Sequence, residues 1–168
     1  MNAVVGGSGF SSRLMATLRS DEGLTYGVYS GFSLRRSPGP FLVSTFTEVA
    51  SVRRALDLLL GELERGRADP PAESELSWAR TLAAGRFSMG LETSAAVADG
   101  LVDLDVYGLP RDSLDTYRAR VRALTEAEVA KAAQDYLHPE RAAIVLVGPS
   151  AELVPQVEDL GPVEVVIP

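Results

Sequence analysis

The 168-residue sequence predicts an α+β fold, with helices packed on a mostly antiparallel sheet. Three observations carry this. Two aromatic and β-branched runs, "YGVYSGFSL" and "FLVSTFTEV", flank the turn-forming "RRSPGP". Five helical stretches follow, from "EVASVRRALDLLLGELERG" to "TEAEVAKAAQDYL". The continuous apolar run "AAIVLVG" then returns the chain to strand chemistry. No linker, low-complexity tract or repeat interrupts the sequence, so residues 1–168 are expected to form one unit.

Taken in order, "SSRLMATLRS" (11–20) reads as a short helix with Leu14, Met15 and Leu18 on one face. Ser11 or Ser12 is placed to cap its start, and Gly23 to end it in the left-handed conformation. The two strand-like runs then pair as an antiparallel hairpin. The next helix carries Val49, Val52, Leu56, Leu59, Leu60 and Leu63 at helical spacing. "DPPAESELSWARTLAAGRFSMGLE" opens on prolines and repeats apolar residues at Leu76, Ala79, Ala83 and Phe87. Further helices follow in "TSAAVADGLVDLDVYG", "RDSLDTYRARVRAL" and "TEAEVAKAAQDYL", the last with a capping box in Thr125 and Glu128. "AAIVLVG" is expected as a strand buried on both faces, and "VEVVI" as an edge strand. So few strands make a thin platform for five helices.

The composition excludes several functions. A hydrophobic content of 46% allows a real core, and a net charge of −7 argues against nucleic acid, whose phosphates require a basic surface. Lys131 is the only lysine among 16 basic residues. No apolar run approaches the ~20 residues of a membrane span, and "MNAVVGGSGF" lacks the features of a secretory signal. Cysteine is absent, which removes disulfides and a thiol nucleophile but leaves the compartment open between cytoplasm and periplasm. The single histidine, His138, reads as a solvated residue just after a helix. Catalytic zinc ordinarily takes two or three histidines with a carboxylate, or cysteine with histidine, so no zinc site is expected in this chain.

Most motifs have structural readings. "GGSGFSS" resembles a phosphate-binding loop, but no strand precedes it and the P-loop lysine is missing. A Gly-rich break that lets backbone pack closely is the better account. No G-x-S-x-G elbow occurs. Glu73 with Glu75, and Glu126 with Glu128, sit at helix starts, where they suit the macrodipole. Trp78 and Phe87 read as core. Arg19 and Tyr26 stand apart, because they flank one tight turn in "LRSDEGLTYGVYSGF". Their plain reading is a solvated helix-end arginine and an ordinary strand tyrosine.

"NAVVGGSGFSSRLMATLRSDEGLTYGVYSGF" nevertheless resembles the start of the C-terminal, non-zinc module of the insulinase, pitrilysin and mitochondrial processing peptidase family of zinc metallopeptidases. The resemblance rests on the Asn and GG ahead of "SSRL", then "LR" and "GLTY", and continues through "YGLPRDSLDTYRARVRALTEAEVAKAAQDYLHPERAAIVLVGP". It implies one module of a clamshell in which two homologous halves face each other around a chamber. One half carries H-x-x-E-H. The other carries an Arg and a Tyr seven residues apart, which Arg19 and Tyr26 match. The resemblance further implies strands upstream of "SSRL", so the chain is expected to be a fragment lacking them.

The implied roles follow from chemistry. Tyr26, a neutral donor with a reference pKa near ~10, would stabilise the oxyanion that forms on a peptide carbonyl. Arg19 would position substrate with its fixed fork of donors. Gly6, Gly7 and Ser8 resemble the Gly-rich segment that approaches substrate in some relatives, and the peptide would add as a strand to a sheet edge. Zinc is expected in the partner half and none in this chain. The implied partners are a peptide substrate and the homologous zinc-bearing half, in the same polypeptide or a separate subunit. The alternative is a non-catalytic scaffold subunit of the same fold.

Overall fold

The computed structural model describes residues 1–167. Its elements run α1 (Arg13–Met15), β1 (Val28–Phe32), β2 (Phe41–Thr45), α2 (Val52–Ala68), α3 (Glu73–Met89), α4 (Ser94–Val106), α5 (Ser113–Ala123), α6 (Glu126–Tyr136) and α7 (Ser150–Val157). Helices dominate, and β1 and β2 form a two-stranded antiparallel sheet that pairs Val28 with Thr45 and Phe32 with Phe41. The α+β reading therefore holds.

The first helix is wider and longer than its spacing predicts. A 3₁₀ turn at Gly9–Ser11 leads into α1, which continues as a π-helical turn, Ala16–Asp21. Ser12 is the N-cap, with its hydroxyl oxygen accepting from the Met15 N–H at 3.4 Å. Another π-helical turn, Ala3–Gly7, precedes it. Its apolar Val4 and Val5 are buried, and Asn2 ties it to β1 through bonds to the Ser30 carbonyl and hydroxyl at 3.2 and 2.6 Å.

The main core gathers around α1. Leu14, Met15 and Leu18 are fully shielded and pack with Val5, Val28, Leu63, Ala133 and Leu137, so helices α2 and α6 close over the segment that enters the hairpin. Residues distant in sequence thereby fix the backbone on both sides of Arg19. A smaller cluster of Val52, Leu153 and Val157 seats α7 on α2. This last helix is absent from the periodicity reading, being short and carrying Pro155 inside it.

Polar contacts brace the same region. Arg13 makes a bidentate pair with Glu75, both bonds 2.7 Å long, joining α1 to the first turn of α3. The Glu75 carboxylate also accepts from the Ala72 N–H. Bonding to the Arg13 guanidinium holds the Glu75 carboxyl below its ordinary range, partial burial opposing this, with the Ala72 N–H assisting. A carboxyl with a depressed folded pKa stabilises above its unfolded pKa, and that contribution is lost as pH falls through the folded value. Glu75→Gln is thus expected to cost about 1–2 kcal/mol at pH 7. In urea titrations, the gap to wild type should close as the pH falls toward 3.

The helices of the second half form where the sequence places them. Thr125 and Glu128 make the reciprocal capping box of α6. Trp78 and Phe87 are only half-buried, the latter stacked on Tyr117 with ring centroids 4.2 Å apart. His138 follows α6 and is more engaged than a free surface residue, with Nδ1 3.1 Å from Glu140 Oε1 and Nε2 3.1 Å from the Asp135 carbonyl.

The expected late strands need correction. "AAIVLVG" forms no strand among the described residues, and it is largely exposed rather than buried, Val147 at 98%. "VEVVI" likewise forms no strand among them. A strand is stable through its ladder and the packing of its faces, not through side-chain preference alone. Here neither run meets another strand among the described residues. No helix among those residues is long and apolar enough to cross a membrane.

Candidate functional site

The loop between α1 and β1 brings Arg19 and Tyr26 together. The π-helical turn closes through Glu22 N–H to the Thr17 carbonyl (3.2 Å), Gly23 N–H to Arg19 (3.2 Å) and Leu24 N–H to Leu18 (2.8 Å). Gly23, at φ +64°, supplies the left-handed residue that reverses the chain. π-Helical turns are rare and occur frequently at functional sites.

Residues 24–27 are then locked from beneath. The Thr25 hydroxyl donates to the Gly27 carbonyl at 2.9 Å, and the Gly27 N–H donates back to Thr25 Oγ1 at 3.1 Å. The Thr45 hydroxyl of β2 lies within bonding distance of both groups, and Thr47 donates to the Leu24 carbonyl at 2.8 Å. The Val28 N–H donates to Met15 Sδ at 3.3 Å. Thr25, Gly27 and Val28 are buried, whereas Tyr26 between them is 76% exposed. A rigid backbone thus holds a tyrosine ring out in the open.

Arg19 meets that ring face on. Its guanidinium carbon is 4.5 Å from the centroid of Tyr26 and 4.4 Å from the centroid of Phe10, so the cation lies over both rings. The nearby carboxylate of Glu22 is taken by Arg54 at 2.8 Å. The Arg19 guanidinium carries N–H donors that a carbonyl or carboxylate can accept from, and the Tyr26 hydroxyl is a further hydrogen-bonding group in the same loop.

Phe10 escaped the sequence reading, where it was one residue of a Gly-rich break. Its signal is local: a large apolar side chain beside Gly9, in a loop with no periodic place for it. Gly6, by contrast, is buried. A Cβ there would stand 2.5 Å from Ser30 Oγ and 2.8 Å from Leu14 Cδ1, so the glycine is required by the approach of the N-terminal turn to β1. Gly7 abuts Asn2, and its carbonyl accepts from Arg86 at 3.1 Å. The Ser8 hydroxyl is buried without a partner among the described residues. Arg19 and Tyr26 are therefore joined directly to each other, while Gly6, Gly7 and Ser8 lie in the turn preceding Phe10.

Among the described residues, no three His, Cys, Asp or Glu side chains gather in an arrangement able to hold a metal ion. His138, the only histidine, is bonded to Glu140 and to the backbone of Asp135.

The sequence and fold of this chain have relatives among known proteins. Residues 1–82 match the family described as the peptidase M16 inactive domain. They belong to that family. The whole chain is also 28% identical over 149 residues to an uncharacterized zinc protease of Streptomyces coelicolor, a match covering 89% of this chain and 32% of that protein. It superimposes on the crystal structure of a peptidase M16 inactive domain from Pseudomonas fluorescens with a TM-score of 0.77 and 30% identity, over 83% of this chain and 33% of that one. A protease from Helicobacter pylori shares the fold alone, with a TM-score of 0.64 at 17% identity over 82% of this chain and 33% of that one. This chain spans about a third of the length of these relatives.

Proposed function

We propose that this M16 chain is the non-zinc half of a zinc metalloendopeptidase, contributing substrate binding and transition-state stabilisation to a partner half that carries H-x-x-E-H. The observation that carries this reading is the Arg19–Tyr26 pair: stacked at 4.5 Å, anchored by a closed hydrogen-bond knot, and presented to solvent by a chain with M16 inactive-domain sequence. An arginine held by contacts with two rings binds a peptide carbonyl with less loss of side-chain freedom. A tyrosine fixed beside it donates to the carbonyl oxygen as negative charge develops there. Gly7 and Ser8, in the turn leading to Phe10, are the backbone nearest in sequence for a further substrate contact.

Zinc, when bound in the partner half, supplies Lewis-acid activation of the scissile carbonyl and its attacking water. The residues of this chain supply the opposite wall: Arg19 orients the peptide and Tyr26 stabilises charge. A scaffold subunit of the same fold would require neither.

The test is complementation. Metal content and peptide cleavage are measured for this chain alone, for the H-x-x-E-H half alone, and for the two together. The expected result is no zinc and no cleavage by this chain, with cleavage by the combination. Equal cleavage by the zinc half with and without this chain would support the scaffold reading instead.

A further inference from the structure

Beyond the arginine and tyrosine, the geometry points to Phe10 as a positioning residue: its ring holds the Arg19 guanidinium against Tyr26 and thereby sets affinity for peptide. This inference rests on the proposed role of Arg19 in binding substrate.

Phe10 is 72% exposed, so burial gives no reason for a phenylalanine there. It is nevertheless held firmly. Gly9, at φ +70°, turns the chain into the 3₁₀ turn that carries Phe10. Ser12, only 1% exposed, closes that turn with its N–H and its hydroxyl both bonded to the Gly9 carbonyl, at 3.0 and 2.8 Å. The result is a ring whose centroid lies 4.4 Å from the Arg19 guanidinium carbon, which also lies 4.5 Å from the Tyr26 centroid.

The second contact matters because arginine is flexible. With Glu22 engaged by Arg54, one aromatic ring alone would leave the Arg19 guanidinium free to swing away from Tyr26. The Phe10 ring adds a second cation–π contact that limits this swing. Phe10 touches no substrate in this account. It acts through Arg19.

The test compares Phe10→Leu, which keeps bulk without a π face, and Phe10→Trp, which restores one, with Arg19→Ala. In the isolated chain, the Arg19 Nε–H proton should carry an upfield ring-current shift in wild type and Phe10→Trp, reduced in Phe10→Leu, with other amide resonances unmoved. In the complex with the zinc half, Phe10→Leu should raise KM about two- to fivefold with kcat nearly unchanged, and Phe10→Trp should return KM to wild type. Arg19→Ala should raise KM about tenfold or more. If Arg19→Ala raises KM while Phe10→Leu does not, the positioning role of Phe10 is overturned and the reading of Arg19 stands. If Arg19→Ala leaves KM unchanged although the ring-current shift is present, the substrate-binding reading of Arg19 fails, and the role of Phe10 falls with it.

Discussion

Tyr26→Phe is expected to lower kcat of the assembled peptidase about a hundredfold or more, with little change in KM. The substitution is unusually clean here. Arg19 stacks on the face of the ring, not on the hydroxyl, so phenylalanine preserves the cation–π contact and the side chain's shape. The backbone bonds of Thr25 and Gly27 do not involve the Tyr26 side chain and stay in place. What is lost is the one donor that the proposed function aims at the developing oxyanion. Steady-state kinetics on a peptide reporter, with matched complex concentrations, separates this from Arg19→Ala, whose principal effect is on KM. An unchanged kcat would remove Tyr26 from the chemical step.

Leu18→Ala carries the second large effect, this time on stability. Leu18 has 0% exposure and packs among Leu14, Met15, Val28 and residues of α2 and α6. Truncation removes its buried methyl groups and leaves a cavity, at a cost of about 2–5 kcal/mol. Marginal stabilities of about 5–15 kcal/mol make that a substantial fraction of the whole. The effect should extend to the site, because the Leu18 carbonyl accepts the Leu24 N–H that closes the turn after Arg19. Urea denaturation should show a lower midpoint with an unchanged slope. A midpoint equal to wild type would mean that the packing around α1 does not hold this region together.

Much of this architecture is legible in the sequence because its signals are local. The hairpin is announced by two aromatic and β-branched runs around Pro and Gly, and the helices by their periodicity. Gly23 adopts the positive φ that its place after "LRSDE" requires, and the Thr125–Glu128 box forms as its spacing indicates. The pairing of Arg19 with Tyr26 in one loop is likewise encoded within eight consecutive residues.

Tertiary structure decided what local signals leave open. Propensity marked "AAIVLVG" and "VEVVI" as strands, but a ladder requires a neighbour, and among the described residues neither run has one. The bonding of Glu75 to Arg13 joins residues 62 positions apart, so no helix-start rule reveals it. Phe10 looks like a loop residue until the turn at Gly9 and the cap at Ser12 bring its ring over Arg19. The sequence by itself determined the α+β class and the residues of the Arg–Tyr pair. The fold decided that the arginine lies over two aromatic rings, because such contacts depend on the direction of side chains in space, and spacing along a chain does not specify that direction.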